Sequence, residues 1–406
     1  MKNICIDFVL DDGIVKAKLF LPRKGYFIID TPISLTPQHW DRRLQRPLNI
    51  YIKTFKRINE ALDRIRIALA SWARDIVTSM SRKEIERSMF NRVARAYKKS
   101  SLPSDKRMLL YHVHAYINAR KHLLSPATRK RYHVFLALLQ RFEGYAMRHF
   151  TIREVNALFV QRFLAFGENE QYSLTTLHRS IAFVRTVLHF LEKRGVRTMS
   201  HELELPRIRK RNNLVTLSET ELELIKNVTL PAHLQHARDW LIISCYTGQR
   251  ISDFMRFRPD MLCFLQDTAC IAFCQQKTSR DILLPLHPEV LHIMKQHADS
   301  FPLPIPPQRY NQLIREVTRL AGLNSITECC IRQGHRASRK NVPKWMAISS
   351  HIGRRSFATN FYGKIPTSLL MEATGHASER MFQRYINHRD SSQVLSLAAY
   401  MLGKAS

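Results

Sequence analysis

The spacing of apolar residues changes period along this chain, and each change marks an element. Over residues 1–29 it alternates. The runs ICIDFVL and IVKAKLFL read as strands flanking Asp12-Gly13, a dipeptide that tolerates the positive φ of a tight hairpin, and YFII supplies a third strand after Lys24-Gly25. Thr36-Pro37 then reads as a helix entry, a capping hydroxyl followed by a residue whose φ is already set. Beyond Pro47 the period becomes helical: Phe55, Ile58, Leu62, Ile65, Leu69, Trp72 and Ile76 recur at alternating steps of three and four. That seam either packs on the small sheet, the simpler reading, or forms an intersubunit coil. Lys53, Lys56, Arg57, Arg64 and Arg66 lie off it, free for phosphates or water.

Residues 93–107, VARAYKKSSLPSDKR, are charged and broken by Pro103, and read as a linker. From Met108 to Arg197 the period is helical throughout. One helix enters at Ser125-Pro126 and buries Tyr132, Phe135, Leu136, Leu139 and Phe142. Another aligns Leu177, Ile181, Val184, Leu188 and Leu191 and stops at Gly195, as a C-terminal cap predicts. Their flanks (Arg129, Lys130, Arg131; His178, Arg179, Arg185) are basic, either a solvated face or a DNA-facing one. A basic segment, ELPRIRKRNNLV, covers 204–215. Ser218-Glu219-Thr220-Glu221 is then a capping box. Pro302 to Pro307 precede a helix, YNQLIREVTRLAG, and the basic, poorly periodic stretch from Thr327 to Trp345 is either a DNA contact or a hairpin insertion.

Charge narrows the partner. The 406 residues hold 64 Lys plus Arg against 33 Asp plus Glu, a formal +31, which suits a polyanion. A ribosome or an anionic membrane surface would also suit, but no apolar run approaches the roughly 20 residues a bilayer span needs. The N-terminal stretch carries Asp7, Asp11 and Asp12 where a signal peptide would be apolar. The seven cysteines show no paired spacing, which fits a reducing, cytoplasmic compartment; they read as small buried hydrophobes rather than as a zinc site built with His335. No Walker loop or dinucleotide fingerprint appears.

Candidate chemistry concentrates in 350–388, SHIGRRSFATNFYGKIPTSLLMEATGHASERMFQRYINH. His351 and Arg354, at i and i+3, share a helix face and can reach one phosphate. Arg354 presents a planar fork to two phosphate oxygens. His376 follows Gly375 at a tight junction, and Tyr385 lies nine residues on. A phenol of unperturbed pKa about 10 is a weak nucleophile, but neighbouring cations favour the phenolate. Taken singly, a His-x-x-Arg is an ordinary surface pair and a late tyrosine is ordinary packing. Further cations stand upstream. SCYTGQRISDF places Arg250 after a Thr247-Gly248 turn, with Asp253 three residues on to orient it or a partner, and CIAFCQQKTSRDILLPL reads as two strands around Thr278-Ser279 with Lys277 at the tip as a mobile proton donor.

These segments resemble the tyrosine recombinase (phage integrase) family, of the mobile-element integrase type. TGQRISDF is similar to its first-arginine motif, QQKTSRDILLPL to its hairpin-lysine motif, SSHIGRRSFATN to its His-x-x-Arg motif, and TGHASERMFQRYINH to its His-to-Tyr motif. The resemblance is tight over the second half of the chain and one of layout in the first. It implies Arg250, Lys277, His351, Arg354 and His376 as the site, Tyr385 as nucleophile and Asp253 in support. The expected fold is mostly α with small β elements. Its domains would be an arm-type DNA-binding sheet plus helix (1–92), a linker (93–107), a helical core-binding domain (108–200), a second linker (201–215) and an α+β catalytic domain (216–406). The implied activity is site-specific cutting and rejoining of double-stranded DNA through a 3′-phosphotyrosyl link, without metal or cofactor. It would serve integration or excision of a mobile element, on a tetramer with paired sites, with accessory DNA-bending or excision factors, at a bacterial nucleoid. DNA inversion or resolution, a type IB topoisomerase and a catalytically silent DNA-binding factor are the competing readings. The arm-like domain weighs against the topoisomerase, and the full residue set against silence.

Overall fold

A computed structural model describes residues 4–22, 24–48, 52–75, 80–98, 105–205, 214–333 and 336–387. Ile76 of the apolar seam, residues 206–213 of the basic segment, His335 and His388 lie outside these. The chain is mostly helical with small sheets, in two compact units, one of residues 1–209 with 332–338 and one of 210–331 with 339–406.

The first unit opens with an antiparallel sheet of β1 (Cys5–Asp11), β2 (Ile14–Leu21) and β3 (Gly25–Ser34). The β1–β2 turn is made by Asp12 at φ 44° and Gly13 at φ 77°, the left-handed pair such a hairpin requires. Alternation buries one face: Ile6, Phe8, Val15, Ala17, Leu19 and Phe27. Thr36-Pro37 starts only a short 3-10 turn, followed by the tiny ladder of β4 (Trp40–Asp41) and β5 (Arg46–Pro47). The long helix is α1 (Lys53–Asp75), and its Leu62, Ile65 and Leu69 are at most 1% exposed in the core shared with the sheet. The seam is therefore covered within its own chain.

A second helix, α2 (Arg82–Lys98), joins that core through Ile85, Met89, Val93 and Ala96. It takes the first six residues of the segment read as a linker. Its other faces are mostly charged but also carry the exposed Phe90 and Tyr97, which blurs the helical period.

Then come α3 (Leu109–Ala119), α4 (Pro126–Tyr145), capped as expected at Ser125, α5 (Ala157–Asn169) and α6 (Leu174–Glu192), capped at Ser173, all packed around Phe142, Phe159, Phe163 and Phe166. A buried polar chain ties α1 to α4. Arg46 reaches Asp63 at 3.3 Å and Asn59 at 3.1 Å, and Arg141 bonds the same Asn59 oxygen and Glu170 at 2.8 Å.

The second unit begins with α7 (Glu219–Asn227), closed by the Ser218–Glu221 capping box, and is centred on α8 (Ala232–Thr247), a helix buried on nearly every face. After α9 (Ile251–Phe254) a meander of β6 (Leu262–Leu265), β7 (Thr268–Cys274) and β8 (Asp281–Pro285) leads to α10 (Pro288–Gln296) and α11 (Pro307–Leu320). The poorly periodic stretch is a hairpin of β9 (Ile326–Gln333) and β10 (Arg336–Pro343). The closing elements are α12 (Lys344–Ala347), α13 (Ile352–Phe361), α14 (Thr367–Thr374) and α15 (Glu379–Phe382), with a 3-10 turn over Gln383–Tyr385. Of the cysteines only Cys245 and Cys270 are buried, so the reading of all seven as core residues is corrected: Cys5, Cys274 and Cys330 are exposed. No helix among the described residues is long and apolar enough to cross a membrane.

Candidate active site

Every candidate catalytic residue named from the sequence lies in the second unit, and the fold brings them to its closing helices. Helix α13 packs on α8 because Gly353 lets the two backbones meet: a Cβ there would overlap the Ser244 side chain and lie 2.7 Å from its carbonyl carbon. That contact sinks Arg354, one residue on, to 0% exposure. His351, at the N-cap of α13, keeps a solvent-exposed edge.

The Arg354 guanidinium is held by main chain. Nη1 donates to the Gly248 carbonyl at 2.9 Å and Nη2 to the Thr374 carbonyl at 2.6 Å and to His376 Nε2 at 3.0 Å. Gly248 and Gly375, the C-caps of α8 and α14 at φ 66° and 68°, turn these chain ends toward it. Among the described residues no carboxylate bonds Arg354, and its buried Nε has no partner. Burial foremost, and then Arg250, push its pKa down to about 10, while Tyr385 and Asp253 pull the other way.

His376 is 6% exposed. Its Nε2 faces a guanidinium, which only donates, so the ring proton sits on Nδ1 and is given to Thr374 Oγ1 at 2.8 Å; that hydroxyl donates to the Leu370 carbonyl at 2.6 Å. Burial, then Arg354 and Arg250, drive its pKa to about 3, so the ring is neutral. Tyr385, half-buried in its 3-10 turn, places its ring 4.9 Å from the His376 ring and 5.3 Å from the Arg354 guanidinium carbon. Phe382, fully buried below His376, and Ile386 anchor the turn.

Arg250 is the N-cap of α9, and its Nη1 donates to Gln275 Oε1 at 3.1 Å. Asp253, 1% exposed, does not hold Arg250. Its Oδ1 accepts from the Gln276 amide at 2.9 Å and pins the base of the β7–β8 hairpin, whose exposed tip carries Lys277. His351 has its pKa lowered, first by partial burial and then by Arg355, Arg354, Arg250 and Lys277. Arg355 is also lowered by burial, opposed by Tyr385. Cations thus outnumber carboxylates around Tyr385, and an electrostatic field of that sign favours an anion. Among the described residues no three His, Cys, Asp or Glu side chains converge as a metal site.

Sequence reading missed Gln275 and Gln249. Both are 0% exposed, and Gln275 continues the inward alternation of Ile271 and Phe273, the one signal that marks it.

Comparison with known proteins bears on the fold and the family. Residues 215–392 match the profile described as the Phage integrase family. No curated protein sequence matches the chain significantly. Among solved structures, a Tn1549 transposon integrase fragment in complex with a circular intermediate DNA is 13% identical with a TM-score of 0.55, over 72% of this chain and 100% of that one. A lambda integrase dimer bound to a COC′ core site is 13% identical with a TM-score of 0.53, over 96% and 97%. XerH site-specific recombinase bound to a palindromic difH substrate is 16% identical with a TM-score of 0.51, over 84% and 95%. At such identities the likeness to solved structures is one of fold, and the profile match carries the family of the part it covers: residues 215–392 of this chain are a domain of the phage integrase family.

Proposed function

We propose that the chain cuts and rejoins double-stranded DNA at specific sites through a phosphotyrosyl intermediate on Tyr385, in the integration or excision of a mobile genetic element. The observation that carries this is Arg354, a fully buried guanidinium without a carboxylate, with an unpartnered Nε, beside the ring of Tyr385. Burying a charge without a counter-ion is costly, and a scissile phosphate would supply the missing anion.

In the proposed reaction the Tyr385 oxygen attacks phosphorus while the bond to the 5′-oxygen breaks. His351, neutral because of its lowered pKa, hydrogen-bonds the phenol or takes its proton, and Lys277 gives a proton to the departing oxygen. Arg250 and Arg354 hold the non-bridging oxygens, and His376 orients Arg354. The released 5′-hydroxyl then attacks the partner strand's link. One phosphodiester replaces another of similar energy, so no nucleotide need be hydrolysed. Residues 1–92 are assigned to accessory arm-type sites, 108–200 to the core site and 216–406 to catalysis. Paired sites would bring four protomers together, with accessory DNA-bending or excision factors. The lambda and Tn1549 integrases and the XerH site-specific recombinase, which share the fold and were solved with DNA, support DNA cutting and rejoining as the activity.

The test is a covalent trap on a nicked attachment site, read after denaturation. Wild type should give a protein-DNA adduct and Tyr385→Phe none, while still binding DNA. A persistent adduct in the variant would remove Tyr385 from this role. DNA affinity should also fall with salt, with a log–log slope of about −0.9 per phosphate contacted.

A further inference from the structure

The Gln275 side chain uses all of its hydrogen-bonding capacity inside the protein. Its Nε2 donates to Gln249 Oε1 at 3.0 Å and to the Thr374 carbonyl at 3.2 Å. Its Oε1 accepts from Arg250 Nη1 at 3.1 Å and from Thr278 Oγ1 at 2.7 Å. The orientation is forced, because a carbonyl cannot donate and a guanidinium cannot accept. Gln249 is locked in turn, its Nε2 donating to the carbonyls of Thr247 at 2.9 Å and Ala373 at 2.7 Å.

Three pieces of the site meet at this amide. Arg250 is one. The second is the end of α14, immediately before His376, where Gly375 presses so closely that a Cβ would lie 2.5 Å from Gln275 Oε1. The third is the tip turn that carries Lys277, closed by the Ser279 amide on the Gln275 carbonyl at 2.8 Å and by Thr278 on the Gln275 side chain.

We propose that Gln275 is a positioning residue for strand cleavage: one buried amide sets the Arg250 fork and the Lys277 turn relative to the His376 segment. This rests on the roles given above to Tyr385, Arg250 and Lys277. An amide suits the task where a carboxylate does not, since a carboxylate in its place would present acceptors to the Gln249 and Thr374 oxygens that now receive hydrogen bonds. Thr278 links the amide to the Lys277 turn, and Arg250 links it to the phosphate-facing fork.

The experiment measures single-turnover adduct formation by the full chain on ordinary DNA and on DNA whose bridging 5′-oxygen is sulfur. The thiolate, with a conjugate acid of pKa roughly 8.5 by analogy with cysteine, leaves without a proton donor. Two variants separate the connections. Thr278→Val, at an exposed turn, removes only the hydroxyl bond, whereas Gln275→Met keeps the length and removes every bond. Thr278→Val should be at least about tenfold slow on ordinary DNA and within about threefold of wild type on the thio substrate, as befits a misplaced general acid whose full worth is roughly 10² to 10⁴. Gln275→Met should be slow on both substrates, because the Arg250 fork loosens too, with a thio-to-oxygen rate ratio above that of wild type. Urea denaturation gives the folded fraction, and a merely structural Gln275 would lower both rates in proportion to that fraction and leave the ratio unchanged. That result, or rates within about twofold of wild type in both variants, overturns the inference while leaving the function standing. Wild type that forms no adduct on either substrate overturns the function, and this inference with it.

Discussion

Arg354 and His376 share a hydrogen bond in which Nη2 donates to Nε2 at 3.0 Å, joining a buried cation to a ring that can accept from it only while neutral. A protonated imidazole would set a proton against the guanidinium. The ring therefore stays neutral, with its pKa driven to about 3 by burial and by the two arginines. The site keeps its positive charge on Arg354, which cannot lose it near neutrality, and leaves the histidine to orient it.

The first prediction follows from that neutrality. Unfolding returns His376 to an ordinary pKa of about 6.5, so below that pH the unfolded chain takes up a proton that the folded chain refuses. The contribution of His376 to stability is thus complete above pH 6.5 and is lost progressively as pH falls toward about 3. Wild type should lose stability more steeply than His376→Gln across this window in urea denaturation. Parallel curves for the two proteins would show that the ring is not held neutral.

Lys277 is expected to act as the general acid. Lys277→Ala should be slowed by about 10² to 10⁴ on ordinary DNA and restored to near wild-type rate by the 5′-thio substrate. Arg250→Ala, which loses stabilisation of phosphate charge, should be slow on both. If sulfur fails to restore Lys277→Ala, the proton comes from another group and the hairpin lysine is an electrostatic contact only.

The approach of α13 to α8 has no room for a methyl group. Gly353→Ala forces the helices apart against Ser244, and overpacking of this kind costs about 1–3 kcal/mol. Arg354 is displaced with the helix, so adduct formation should fall further than the folded fraction does. A variant as stable and as active as wild type would show that the contact is loose.

In the first unit, Asp63 is the carboxylate that faces Arg46, at 3.3 Å, with both side chains at most 7% exposed. Burial, and then Arg141, lower the Arg46 pKa to about 10, and Asp63 opposes them. Removing one partner strands the other charge, so Asp63→Ala should destabilise by about 3–5 kcal/mol in equilibrium denaturation. A loss below about 1 kcal/mol, the scale of a surface pair, would mean that water reaches Arg46.

What the sequence by itself determined is what depends on neighbours in the chain. Asp12-Gly13, Ser125 and the Ser218–Glu221 box act over two to four residues and were legible as turns and caps. The motifs around Arg250, Lys277, His351, Arg354, His376 and Tyr385 were legible as ordered spacings, and the comparisons bear out the family they resemble. Helix α2 escaped notice because its apolar residues do not mark a single face: Ile85, Met89, Val93 and Ala96 are buried in the core shared with the sheet and α1, while Phe90 and Tyr97 are exposed. Tertiary structure alone decided how the site residues are held. Asp253 was expected to orient Arg250 or a partner, and it takes the Gln276 amide of the hairpin. The group that holds Arg250 is Gln275, 25 residues away, and the same amide reaches Thr374, 99 residues away. A glutamine satisfies hydrogen bonds with any polar group, so its partners carry no local spacing that a sequence could display. They are chosen by whichever backbone ends the packing of α8, α13 and α14 brings within about 3 Å of one another.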